Sequence, residues 1–274
     1  MVHFFDAQRN DALYAGSHLS AADLLDFFDG EVDPGDEEKI IENRGLLYRY
    51  ANSPGLLSGL IERSLIEGHK DNLDGFALTN QSIVVQSKGA FVLRMNFWSA
   101  PSSHIAHHER EKALLSYETP HDHNFSLLTI GCHGPGYKTR ICQYSREKTI
   151  GYLGEKVSFS QREDYQLGKN DILFYESCKD VHEQLIPEEL SVSLNLIAQE
   201  PQRYRSPQFF FDFRDDTISG YPESRIGKYM HLLNFLAPVA DTYRYELSEV
   251  AQKCEEELLR DKASSLVEST QVRS

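Results

Sequence analysis

The stretch TPHDHNFSLLTIGCHGPGY, residues 119–137, decides how the rest of the chain is read. His121 and His123 stand two apart. On a β-strand, residues i and i+2 project to the same face, so both imidazoles point one way and Asp122 the other. A largely apolar run from Phe125 to Ile130 follows, and then HGPG at 133–136, whose Gly and Pro reverse the chain. Two readings stay open from this stretch alone: a pair of metal ligands on a barrel strand, or a polar strand end beside a hairpin.

Working outward, residues 81–213 hold eight pieces of one kind: SIVVQS, AFVLRMNFW, NFSLLTIGC, YKTRICQYS, VSFS, DILFYES, LSVSLNLIAQ and QFFFDF. They are short, β-branched or aromatic, and often alternating. KG, HGPG, LGKND and IPEE between them supply turn chemistry. Strands at this spacing predict a sandwich or barrel. Alternation is clearest at 190–197, where Leu190, Val192, Leu194 and Leu196 share one face and Ser191, Ser193, Asn195 and Ile197 the other.

The flanks read as helix, which divides the chain into a helical extension at 1–80, the barrel at 81–213 and a second helical extension at 214–274, expected to form one integrated domain. Ser20 with Asp23 three residues on makes a capping-box-like start. DPGDEEKIIENRGLLYRYANS places acids in its first turn, where the helix dipole favours them. Ser53 and Pro54 read as N-cap and first helical residue of the next helix. Leu247, Val250, Cys254 and Leu258 form an amphipathic stripe. Pro238 breaks the C-terminal zone into two helices, and the Ser/Thr-rich last ten residues are expected to fray.

Composition excludes several functions. The formal net charge is −14 with no run of basic residues, which argues against nucleic acid and anionic membrane as partners. No apolar run approaches the roughly 20 residues of a membrane helix. The N-terminus lacks a basic start followed by an apolar core. Four cysteines without a CxxC pair read as reduced thiols, so a cytoplasmic location is expected. The acidic stretch at 29–38 fails as a calcium loop, because Pro34 and Ile40 occupy the glycine and bidentate glutamate positions.

A third ligand for the histidine pair is found in KDVHEQL at 179–185, where His182 follows a turn and the strand DILFYES. Two histidines on one strand and one from a later strand cap one face of an octahedron and leave the other positions open. In this order the motifs resemble the cupin superfamily. HDHNFSLLTIG gives the H-x-H and the downstream Gly131 of its first motif, and GKNDILFYESCKDVH gives the turn, apolar strand and histidine of its second. The resemblance covers about a third of the chain, residues 119–199, and implies a mainly β fold, the double-stranded β-helix or jelly-roll barrel. It departs from the pattern in two places. Leu127 or Leu128 stands where the motif glutamate belongs, and the second-motif Pro and Gly are replaced around Tyr175 to Cys178. The remaining ligand set is similar to that of three-histidine cupins such as the cysteine dioxygenase-like thiol oxygenases. The wording is also similar to a group of bacterial cupin-like proteins, which implies the fold and no reaction.

Three neutral imidazoles leave the charge of a divalent ion uncompensated, which favours an anionic ligand. The resemblance favours Fe(II), with Zn, Mn or Ni as alternatives. Around the triad, Arg94, Asn96 and Trp98 share a strand face fit for a pocket wall. Tyr137 and Arg140 follow the HGPG turn on opposite faces. Arg140 reads either as a fork for a substrate carboxylate or as an exposed strand arginine. Tyr144 and Tyr175 read as phenolic donors near the metal or as core residues with satisfied hydroxyls. Gln184 faces the same way as His182, and Asn195 sits on a later strand. Cys132 reads as a buried structural thiol. His104, His107 and His108 lie in what reads as a loop, a lid or plain surface. The function expected is a mononuclear non-haem iron oxygenase using O₂ on a small polar metabolite, amino-acid-like or thiol-like, with Tyr175 and Arg140 as catalytic candidates. An O₂-independent metal-dependent isomerase, lyase or hydrolase, and a non-catalytic ligand-binding cupin, are the alternatives. A homodimer fits any of them.

Overall fold

The computed structural model describes residues 3–14, 18–67, 81–100, 105–222, 225–254 and 257–271. The N-terminal part runs β1 (His3–Phe5), α1 (Ala7–Tyr14), α2 (Ala21–Glu31), α3 (Glu37–Glu42), α4 (Arg44–Ala51) and α5 (Leu56–Glu67). Next come β2 (Ser82–Lys88), β3 (Phe91–Trp98), α6 (Ile105–Leu114), β4 (His121–Asp122), β5 (Ser126–His133), β6 (Tyr137–Gln143) and β7 (Glu163–Leu167). The chain continues through β8 (Ile172–Tyr175), β9 (Asp180–Gln184), β10 (Ser191–Ala198), α7 (Pro201–Tyr204), β11 (Phe210–Asp212) and β12 (Thr217–Gly220). It closes with α8 (Arg225–Leu236), α9 (Arg244–Lys253) and α10 (Glu257–Gln271).

Among the described residues the strands form two six-stranded sheets, ordered β1-β8-β5-β10-β3-β2 and β12-β11-β4-β9-β6-β7. Every pairing between named strands is antiparallel. The chain crosses between the sheets as it advances, so that β3-β10-β5-β8 faces β4-β9-β6-β7. That interleaving is the double-stranded β-helix, the cupin jelly roll, with helices added at both ends.

Burial separates three apolar clusters. Leu24, Leu25 and Phe28 of α2 pack with Leu93, Met95, Leu128, Ile130, Leu194 and Leu196 on the outer face of the first sheet. Met230, Leu233, Leu247 and Leu266 of the C-terminal helices pack with Cys142, Val181 and Phe211 on the outer face of the second. Val92, Leu127, Ile141, Leu173 and Ile197, with Trp98, Tyr137 and Tyr175, fill the space between the sheets. The alternation of 190–197 follows from this: Leu194 and Leu196 face the helices, while Asn195 and Ile197 face the barrel interior. All eight residues of β10 are buried. Helices thus cover strand faces that would otherwise expose leucine to water, worth about 1.5–3 kcal/mol per side chain.

Several local expectations change. VSFS is not a strand; Val157 and Phe159 pack on the second outer core, and β7 forms from EDYQL, a half-polar edge strand without apolar alternation. Strand β1 lies within the N-terminal region and β12 beyond residue 213. The helix expected across 33–53 breaks at Asn43, with Asp36 capping α3. Ser20 and Asp23 do form a reciprocal capping box. Ser53 is not an N-cap: its hydroxyl donates to the Leu19 carbonyl at 3.1 Å, and α5 starts after Gly55, which has φ +71°. Pro238 sits in a short 3-10 turn that ends α8. The stripe at 247–258 is split, because Cys254 takes an extended conformation between α9 and α10. The C-terminal stretch is helical through Gln271, and residues 272–274 lie outside the described residues. No helix among the described residues is long and apolar enough to cross a membrane.

Candidate metal centre

Strand β4 is only two residues long, yet it fixes the site. His121 pairs directly opposite His182 of β9, and Asp122 opposite Val181. Asp122 points away from the imidazoles and ties the strand down from behind. It accepts hydrogen bonds from Tyr144 Oη at 2.6 Å and from the Phe209 amide at 2.6 Å. Burial pushes its carboxyl up to about 6, against those two hydrogen bonds. His123 lies just past β4, its ring stacked on Phe125 with centroids 4.5 Å apart. Its carbonyl accepts from the Cys178 amide at 2.6 Å. Cys178 holds a left-handed φ of +55° in the turn where the resemblance would place glycine.

The three rings converge. One nitrogen from each of His121, His123 and His182 lies within 4.8 Å of the others, and among the described residues they form the one group of three or more potential ligands. Ring centroids are 4.4 to 4.9 Å apart. His123 Nε2 and His182 Nε2 face each other at 2.9 Å. Two nitrogens bound at right angles to a metal at ~2.0–2.1 Å would stand roughly 2.8–3.0 Å apart, so the spacing fits a shared ion. The far sides of two rings are anchored. The Thr119 carbonyl lies 2.7 Å from His121 Nδ1, which places the proton there and frees Nε2. Gln184 Nε2 lies 2.5 Å from His182 Nδ1; turning the amide over brings its oxygen to a protonated Nδ1 and leaves Nε2 of His182 free for a metal. His123 Nδ1 has no partner in hydrogen-bond geometry.

Electrostatics keep the rings neutral. Burial lowers the His121 pKa, aided by Arg94 and opposed by the Thr119 carbonyl. His123 and His182 fall well below the usual 6.5, through burial first and then the neighbouring rings and Arg94. Neutral imidazole is the form that binds metal. The donor set therefore suits a divalent ion, with no carboxylate among its first ligands. Leu127, at the place of the motif glutamate, lines the same cavity and cannot coordinate.

The cavity beside the triad measures about 80 Å³. Arg94, Asn96 and Trp98 of β3 line it, with Tyr137, Tyr175, Gln184 and Asn195. Trp98 Nε1 donates to Ser193 Oγ at 2.9 Å and its ring lies 4.3 Å from that of Tyr137. The Tyr175 ring sits 4.6 Å from that of His182. Its buried hydroxyl has no partner, and burial holds its pKa well above 10, so it stays protonated. Asn195 Nδ2 is also unpartnered. Gln81 and Ser116 line the cavity too and were not anticipated. Gln81 directly precedes β2, and Ser116 sits in a turn with φ +54°; neither lies in a motif.

Two expected neighbours are elsewhere. Arg140 lies on the outer face of β6, 3.0 Å from Asp164 and 3.1 Å from Glu183, so its fork is engaged away from the cavity. Tyr144 is spent on Asp122 behind β4 and packs on the second outer core. Cys132 packs against the first outer core, where burial pushes its thiol up to about 12. His104 lies outside the described residues, while His107 and His108 fall on α6, where a loop was expected.

No family model and no curated protein matches this sequence. Solved structures are similar only at low identity and low score. The DMSP lyase DddQ from Ruegeria pomeroyi DSS-3 is 11% identical, covering 61% of this chain and 70% of that one, with a TM-score of 0.28. Hydroquinone 1,2-dioxygenase from Sphingomonas sp. TTNP3 is 7% identical over 44% and 67%, with a TM-score of 0.27. The vicilin from Solanum melongena is 8% identical over 51% and 28%, with a TM-score of 0.28. The chain spans 46% of the structure described for the DMSP lyases RdDddP and RnDddQII. At these scores the likenesses carry no argument about chemistry, and the fold rests on the strand order itself.

Proposed function

We propose that this chain is a metal-dependent enzyme of the mononuclear non-haem iron oxygenase class, acting with O₂ on a small polar metabolite. The observation that carries the reading is the convergence of three neutral imidazoles, His182 buried and His121 and His123 half-buried, on a small cavity, with no carboxylate in the set. Fe(II) held there would supply a site for O₂ and substrate side by side. The chain's own part is to hold three Nε2 or Nδ1 atoms uncharged, to orient them through Thr119 and Gln184, and to wall the cavity with Trp98, Tyr137 and Tyr175.

The test is metal analysis and O₂ uptake on protein purified without air and loaded with Fe(II). One metal per chain is expected, lost at least tenfold in His121→Ala, His123→Ala and His182→Ala. No bound metal, unchanged by His121→Ala, would sink the reading. The protonated, unpartnered Tyr175 hydroxyl favours a second reading, an O₂-independent lyase or isomerase with Tyr175 as proton donor. Turnover under argon would select it.

A further inference from the structure

The cavity has a charge imbalance. Its described lining holds one cation, Arg94, and no Asp or Glu. Arg94 makes no ion pair among the described residues, and its buried Nε meets no acceptor. Elsewhere charge is answered: Arg140 on the outer face of β6 by Asp164 and Glu183, and buried Asp122 by two donors. A half-buried, unanswered guanidinium is costly, because the hydration it has lost is not replaced. Burial pulls its pKa only to about 10, so the charge remains at neutral pH.

On the reading above, a divalent ion on three neutral rings adds two further positive charges, and nothing in the described lining offsets them. We infer that the occupant of this cavity is a small dianion of the dicarboxylate class, one carboxylate gripped by Arg94 and the other turned to the histidine triad. Planar bidentate pairing is what a guanidinium offers a carboxylate. The unpartnered Asn195 Nδ2 and Tyr175 hydroxyl supply further donors on the same wall, and His121, His123 and His182 all feel the Arg94 charge. The inference rests on the metal reading for its second charge and on Arg94 alone for its first.

Calorimetric titration of malonate, acetate and inorganic phosphate into the full chain tests it. Metal-free and Zn²⁺-loaded protein are compared, for the natural sequence, Arg94→Gln and Arg94→Lys. Zn²⁺-loaded natural protein is expected to bind malonate at least tenfold more tightly than acetate or phosphate. Arg94→Gln should lose at least tenfold in malonate affinity with zinc content unchanged, and Arg94→Lys should recover part of that loss. Malonate affinity unchanged by Arg94→Gln, or matched by acetate, overturns the inference. Phosphate binding as tightly as malonate overturns the dicarboxylate assignment. If Arg94→Gln does not fold, Arg94→Lys carries the test: it keeps the charge without the fork, and undiminished malonate binding overturns the pairing. The metal reading fails on a separate measurement, the zinc content of the natural chain.

Discussion

His123 and His182 are held well below their usual pKa by burial first and then by His121 and Arg94, and His121 is lowered as well. Protons therefore compete for these rings only in acid. Zinc affinity is expected to stay level from neutral pH through 6.5 and to fall only further into acid, as competition binding with a chromophoric chelator would show. Stability of the metal-free chain takes the same sign from these rings. Below 6.5 the unfolded state binds more protons than the fold, so their contribution is lost as pH falls. Asp122 and Asp180, both raised to about 6, act oppositely: their contribution is full below the usual 3.8 and is lost as pH rises through about 6. At this scale much of the site was legible. Two-residue alternation alone puts Arg94, Asn96 and Trp98 on one wall, and H-x-H with the later DVH names the triad. Arg140 was not legible, although alternation correctly set it opposite Tyr137. Its acid partners come from β7 and β9, across strand pairings that no local pattern reveals.

The hairpin between β5 and β6 is where backbone, rather than side chain, positions the site. Gly136 has φ +89°, and a Cβ there would fall 2.0 Å from the Leu167 carbonyl oxygen. Gly136→Ala meets both the left-handed penalty and that clash, so a loss of at least about 2 kcal/mol in urea unfolding is expected. The turn itself was readable from HGPG. What escaped reading were elements defined by distant partners. Strand β1 is three residues that pair with β8 some 170 positions later. Strand β7 is an exposed edge whose polar sequence carries no alternation, whereas VSFS, with its alternating Val and Phe, packs as irregular chain on an outer core. The lesson is physical: periodicity reports a half-buried face, and an edge strand with little buried face leaves no such mark.

Across the whole molecule, the large apolar clusters sit outside the barrel, between sheets and helices, while the polar residues of β3, β9 and β10 look inward. Phe28→Ala is therefore expected to cost about 3–5 kcal/mol in chemical denaturation while leaving zinc affinity unchanged, since Phe28 belongs to a core on the far side of β3. Folding and chemistry draw on different side chains of the same strands. A library randomised at Asn96, Tyr137 and Asn195 would then sample new pocket chemistries on a scaffold whose folding is secured elsewhere, and a lineage of such chains can drift in substrate without first surrendering its fold.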